Sequence, residues 1–273
     1  MKKKRYDELT FCDDFMFCKV LENNMELCKG LLQLLLGIPI KKVVNASKQK
    51  SIDITADAKS VRLDVYLEDT EQSIYDVEMQ TSVRKDLSKR SRYYQGMLDL
   101  NQIDKGEKYT DLKRCYIVFI CKEDPFDQNF PVYTFENRSR ENLQLLLGDE
   151  TVKVFVNASG NTENISEELK SFLEYLKSGE AREDTFAASI DEEVRLARAH
   201  LEWRAEYMTL QMHYDEIAEE AREEGRAKGR AEGRADIIMQ MLANGMPTDM
   251  LAKWCNMPLE EIEKAAEKMK DIL

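Results

Sequence analysis

The stretch Val61 to Thr81, VRLDVYLEDTEQSIYDVEMQT, restricts the fold more than any other part of this chain. Two strand-length runs alternate in character on either side of a polar turn, the pattern of an antiparallel hairpin. On the first run Val61, Leu63, Val65 and Leu67 take one face and Arg62, Asp64, Tyr66 and Glu68 the other. On the second, Ile74, Asp76, Glu78 and Gln80 oppose Tyr75, Val77 and Met79. Asp64 lies directly across from Glu78 only if paired residue numbers sum to 142, which leaves a turn spanning Asp69 to Ser73. An odd slip of register would send the two carboxylates to opposite faces.

That parity carries a chemical consequence. Two ionised carboxylates about 5 Å apart repel by roughly 3 kcal/mol at an effective dielectric near 20, so either one is protonated or a cation sits between them. Hard divalent ions such as Mg²⁺ take oxygen ligands and keep several waters, which makes two carboxylates plus a substrate phosphate a sufficient site. Gln80 points to the same face and is placed to hydrogen-bond an attacking water. The spacing D-x(13)-E-x-Q alone leaves a second reading open, because exposed faces of antiparallel sheets often carry such acids.

The flanking sequence supplies the rest of an α/β domain. Apolar residues at 11, 15, 18 and 21 have helical spacing, with Asp13 and Asp14 in the first turn, where carboxylates complement the helix dipole. Asn24 caps a second helix, Met25 to Leu36, which Gly37 and Pro39 stop. Val43 to Thr55 reads as a strand ahead of the hairpin. After it, SVRKDLSKRSRYYQGMLDLNQI suits an amphipathic helix with Arg90 and Tyr94 one turn apart. CYIVFIC, from Cys115 to Cys121, has the continuous apolar character of a buried central strand, and VYTFEN and VKVFVN read as two more. The expected architecture is a mixed sheet flanked by helices over residues 1–160.

Beyond that point the chain is helical and acidic. Residues 1–122 hold 22 Lys+Arg against 19 Asp+Glu, leaving 18 against 33 in the remainder, so the net charge of −12 belongs to the second half. The first half is only weakly basic, so tight non-specific phosphate binding does not follow from charge alone. Residues 161–224 are expected to form a long acidic helical extension. It opens on a Ser166 cap and carries a near-heptad stripe including Phe186, Ile190, Val194, Ala197, Leu201 and Met208. The repeat GRAKGRAEGRA over 225–235 places Gly225, Gly229 and Gly233 four residues apart. Three interior helix glycines cost about 0.8 to 1 kcal/mol each, which favours a solvated, partly helical linker over a self-association seam or a row of arginines on phosphate. Residues 236–273 divide into three short helices, the first ending near Gly245, the second following a Thr248 cap, the third starting at Pro258. The third carries Glu260, Glu261, Glu263 and Glu267, which suits a packing or protein-interaction module better than a DNA-reading helix.

No apolar run approaches a membrane span. The basic MKKKR is followed by Asp7, Glu8, Asp13 and Asp14 where a signal peptide needs its apolar stretch, an arrangement that places the protein in the cytoplasm. Six cysteines without a CxxC pair predict buried reduced thiols. His200 and His213 both fall in the acidic helical half, far in sequence from any nucleophile pattern, which argues against His- or Cys-based catalysis.

Taken together, DDFMFCKVL, RLDVYLED, IYDVEMQ, KRSRYYQGML, GEKYTDLKRCYIVFIC and the later YLKSG and EGR-type repeat make the chain resemble the PD-(D/E)xK nuclease family of transposase-like, recombination-promoting nucleases. The likeness covers nearly the whole sequence. It implies a restriction-endonuclease-like fold and a metal-dependent DNA endonuclease, with a non-catalytic DNA-associated or protein-interaction descendant as the alternative. By that resemblance Asp64 and Glu78 match the metal carboxylates, with Mg²⁺ as cofactor and Mn²⁺ as substitute. Gln80 stands in the place of the superfamily's Lys, Asp14 is similar to an acidic residue approaching the metal, and Arg90 with Tyr94 fits the basic and aromatic positions of the following helix. The implied partner is DNA, with a homo-oligomer through the C-terminal helices as a further expectation. Gln80 offers a dipole where Lys offers a charge, a deficit that Arg62, Lys85 or Arg90 would have to supply.

Overall fold

A computed structural model describes residues 4–48, 51–52, 61–82 and 84–270. Helix α1 (Asp14–Asn23) buries Phe15, Met16, Phe17 and Cys18. Helix α2 (Met25–Leu36) starts where the Asn24 side chain accepts from the Leu27 amide at 2.9 Å, and it ends at Gly37, whose φ of +66° suits a residue without Cβ.

The strands are β1 (Val43–Lys48), β2 (Ser51–Ile52), β3 (Val61–Arg62), β4 (Val65–Asp69) and β5 (Ile74–Gln80). After helix α3 (Leu87–Leu100) come β6 (Cys115–Cys121), β7 (Val132–Phe135) and β8 (Thr151–Asn157). Six of them form one sheet in the order β1-β4-β5-β6-β8-β7, and β2 pairs separately with β3. Pairings β5–β6 and β6–β8 are parallel, the others in the large sheet antiparallel, so the sheet is mixed as the sequence implies. The strand expected from Val43 to Thr55 is two strands, β1 and β2, and the part of that expectation beyond residue 52 lies outside the described residues.

The hairpin register is the even one. Val65 faces Val77, Tyr66 faces Asp76, Leu67 faces Tyr75 and Glu68 faces Ile74, every pair summing to 142. The turn is locked by Asp69, whose Oδ1 accepts from the Glu71 and Ser73 amides at 2.8 and 2.9 Å and whose Oδ2 accepts from Tyr75 Oη at 2.7 Å. The first run is not one continuous strand, however. It breaks between Arg62 and Val65, and Leu63 joins the core cluster of Tyr66 and Ile74 instead of following Val65 and Leu67. The break puts Asp64 in an irregular segment just ahead of the ladder.

Helix α3 covers the face that carries Asp76, Glu78 and Gln80. Its Leu87, Met97 and Leu98 pack with Tyr66, Ile74, Cys115, Ile117, Phe119 and Phe155 in one buried cluster. The reading of this face as a solvated acidic surface is therefore wrong: Asp76, Glu78 and Gln80 are all buried. Helices α1 and α2 pack on β1, and α1 also reaches β4.

The helices that follow divide differently from the sequence expectation. Helix α4 (Glu167–Ser178), capped by Ser166 Oγ on the Leu169 amide at 3.2 Å, and helix α5 (Phe186–Ala199) pack into the first of two compact units, residues 1–207. Gly30 of α2 is what admits α5, since a Cβ there would lie 2.6 Å from Phe186. Tyr6 Oη donates to Ala197 O at 2.6 Å and Arg198 donates to Leu9 O, tying the N-terminal segment to the same helix. The boundary expected at 160 thus cuts through a packed core, because an amphipathic stripe shows that a helix docks without showing on what.

Helix α6 (Leu201–Ala243) is continuous, so 225–235 is helix and not a linker, and 236–243 is its last part and not a separate helix. A Cβ at Gly225, Gly229 or Gly233 would meet nothing within 4 Å. The second unit, 208–273, has its own small core, in which Ile238 of α6 meets Leu251 and Ala252 of α7 (Thr248–Cys255) and Ile262 of α8 (Leu259–Lys270). The residue preceding α7 is Pro247, and Thr248 is its first residue and not its cap. All six cysteines are free and five of them buried, and among the described residues no helix is long and apolar enough to cross a membrane.

Candidate active site

Asp64 and Glu78 are interlocked across the mouth of the hairpin. Because the chain breaks from the ladder at Asp64, its backbone N–H donates to Glu78 Oε1 at 2.9 Å, and its own Oδ2 accepts from the Met79 amide at 3.1 Å. Both carboxylates are fixed by backbone groups before any ligand arrives, so little reorganisation is needed to use them. Helix α1 approaches the same point, with Cys18 Sγ donating to Asp64 O at 3.3 Å. Asp14, one turn earlier on α1, is close enough for its charge to act on Glu78.

Arg90 is the cation of the site. Its Nη1 donates to Gln80 Oε1 at 3.1 Å and its Nη2 to Glu78 Oε2 at 3.2 Å and Tyr94 Oη at 2.7 Å. The guanidinium also lies over the rings of Tyr94 and Phe119, at 5.2 and 5.5 Å, which holds it in place by cation–π attraction. Gln80 Nε2 donates to Ser82 O at 2.8 Å and Ser82 Oγ at 3.2 Å, so both ends of the amide are tied to protein and its orientation is set. Lys85 is exposed, and the side chain of Arg62 lies outside the described residues.

The electrostatics record an excess of negative charge. Burial, then the neighbouring Asp64 charge, pushes the Glu78 carboxyl up to about 8, against the lowering effect of the Asp64 amide and Arg90. Asp76 is completely buried with neither carboxylate oxygen hydrogen-bonded. Burial first, then repulsion from Glu78 and Asp64, holds it well above the usual carboxylate range. Asp76 is the residue that sequence reasoning passed over. Its parity with Glu78 is visible in the alternation, but nothing in the alternation says that the face is buried. Ser82 has no sequence signal at all.

The donor set suits a hard cation. Among the described residues no three or more His, Cys, Asp or Glu side chains converge to hold an ion, and Asp64 and Glu78 by themselves match the one or two carboxylates with which Mg²⁺ is commonly held. The Glu78 pKa is raised by burial first and by the Asp64 charge second, and a divalent ion would offset the second of these.

A mixed sheet with flanking helices, bearing a backbone-fixed Asp–Glu pair on its central hairpin and an Arg from the crossover helix, defines a restriction-endonuclease-like α/β protein. Comparison with family models agrees: the model for the PD-(D/E)XK nuclease family transposase matches residues 12–223, and the chain belongs to that family. No curated protein and no solved structure gives a significant match.

Proposed function

We propose that this protein is a divalent-metal-dependent DNA endonuclease that hydrolyses phosphodiester bonds at Asp64 and Glu78 in support of transposition or recombination. The observation that carries the reading is the reciprocal fixing of those two carboxylates beside Arg90, with Glu78 raised to about 8. Asp64 and Glu78 would hold Mg²⁺, or Mn²⁺ in its place, and Asp14 adds negative charge from α1. Bound there, the ion would neutralise the carboxylates, polarise a phosphoryl oxygen and lower the pKa of water. Arg90, held by Gln80, Glu78 and Tyr94, supplies the positive charge that Gln80 lacks and would offset the repulsion between the carboxylates and a phosphate. Gln80 Oε1 accepts one hydrogen bond from Arg90, and its second lone pair is the acceptor for the attacking water. Two strands need two encounters or two copies, which gives a homo-oligomer through the C-terminal helices a purpose.

Nicking of supercoiled plasmid in Mg²⁺ or Mn²⁺ by wild type and by Asp64→Ala tests the reading. Divalent-dependent nicking by wild type that falls about 100-fold or more in the folded variant is expected. Wild-type protein that nicks nothing with any divalent ion establishes the alternative, a non-catalytic DNA-associated or protein-interaction module.

A further inference from the structure

On the far side of α3 from Glu78, a pocket of about 460 Å³ opens between that helix, β7, β8 and the loop before β7. Three phenylalanines form its apolar part. Phe155 is the buried floor, Phe126 meets it edge-on at 5.0 Å, and Phe135 meets both, at 5.8 and 5.2 Å, while remaining 45% exposed. Arg92 from α3 and Lys153 from β8 also line it. The acid in the lining, Glu136, is ion-paired with Arg138 at 2.8 Å, which offsets its charge.

We infer that this pocket holds an unstacked nucleobase together with its adjoining phosphate. An exposed ring over a buried aromatic floor is a stacking platform of the kind that binds single-stranded nucleic acid without reading its sequence, and the neighbouring cations suit the backbone. A purely apolar ligand would make no use of the Arg92 charge, and a simple anion would make none of the exposed Phe135 ring. The volume suits a single base rather than a duplex. The pocket also communicates with the carboxylate site: Phe155 stacks on Phe119 at 5.4 Å, and Arg90 lies over Phe119 at 5.5 Å. The inference deepens the nuclease reading, on which it rests for the identity of the strand, and it assigns the pocket to a base displaced from the strand near the point of cleavage.

Binding of a fluorescein-labelled single-stranded oligonucleotide, followed by anisotropy in EDTA, tests it without any cleavage. Phe135→Ala is expected to weaken binding about tenfold and Phe135→Trp to retain it. Arg92→Ala and Lys153→Ala are each expected to weaken binding and lower the salt slope by about one. Absence of oligonucleotide binding by wild type, or equal binding by wild type, Phe135→Ala and Arg92→Ala, overturns the inference whether or not plasmid is nicked. Deoxyadenosine monophosphate is the second arm: displacement of the oligonucleotide only at far higher concentration supports a strand, and displacement at equal concentration overturns the strand in favour of a free nucleotide.

Discussion

The backbone amide of Asp64 donates to Glu78 Oε1 at 2.9 Å while Asp64 Oδ2 accepts from the amide following Glu78, at 3.1 Å. Each acid is therefore gripped by the other's backbone. Removing the Asp64 side chain strips the Met79 amide of its acceptor, whereas Asn preserves one. Asp64→Ala is expected to lose about 1 kcal/mol of stability in urea unfolding and Asp64→Asn markedly less, while both abolish divalent-dependent nicking. Equal stability losses in the two variants would mean that the Met79 bond contributes nothing.

Glu78 ties stability to pH in a direction unusual for a carboxylate. Its folded pKa of about 8 lies above the ordinary 4.5. Between those values the unfolded chain binds fewer protons than the folded one, so stability falls as pH rises from about 4.5 to about 8. A divalent ion must displace that proton, and its affinity rises over the same range. Thermal melts with and without Mg²⁺ are expected to differ more at pH 8.5 than at pH 6. A Mg²⁺ effect that does not grow with pH would place the ion elsewhere.

Much of this geometry was legible in the sequence. Period-two alternation allowed only an even register if the acids were to meet, and the observed pairs obey it. The break at Asp64 was not legible, because Leu63 and Val65 look alike in an alternating pattern although they end on different sides of the fold. Nor was the burial of Asp76 and Gln80, since polarity in a strand reads as solvent until the covering helix is known. Docking of α4 and α5 on the sheet domain was hidden for a related reason: an amphipathic helix advertises an apolar face but not its partner.

Asp76 marks the cost of that burial. Neither of its oxygens has a hydrogen bond, and burial, then the charges of Glu78 and Asp64, push its carboxyl well above the ordinary carboxylate range. Asp76→Asn removes the ionisable group at nearly constant volume. The stability difference between variant and wild type is expected to move in the variant's favour from pH 6 to pH 9, because only wild type carries a buried ionisable carboxyl there. Chemical denaturation at the two pH values measures the difference, and a variant that is less stable at both would show that Asp76 has a partner worth more than its desolvation.

Arg90 binds Glu78, Gln80 and Tyr94 at once, with only 22% of its side chain exposed. Lys cannot reproduce the fork. Arg90→Lys is expected to cost about 1 to 2 kcal/mol, and Arg90→Gln, which removes the charge as well, to shift the pH dependence of the Mg²⁺ effect upward. A pH dependence that stays where it was would remove Arg90 from the electrostatics of the site.

The glycine row of α6 permits a test that is independent of the active site. Gly225, Gly229 and Gly233 sit in exposed, continuous helix where an added Cβ meets nothing within 4 Å. Each change to Ala should stabilise the helix by about 0.8 to 1 kcal/mol, so the triple variant is expected to melt higher by circular dichroism and to leave plasmid nicking unchanged. The opposite result has a definite meaning. A seam between copies needs the close approach that glycine permits, so a triple variant that melts lower and sediments as a smaller species would place these residues at an interface between two α6 helices.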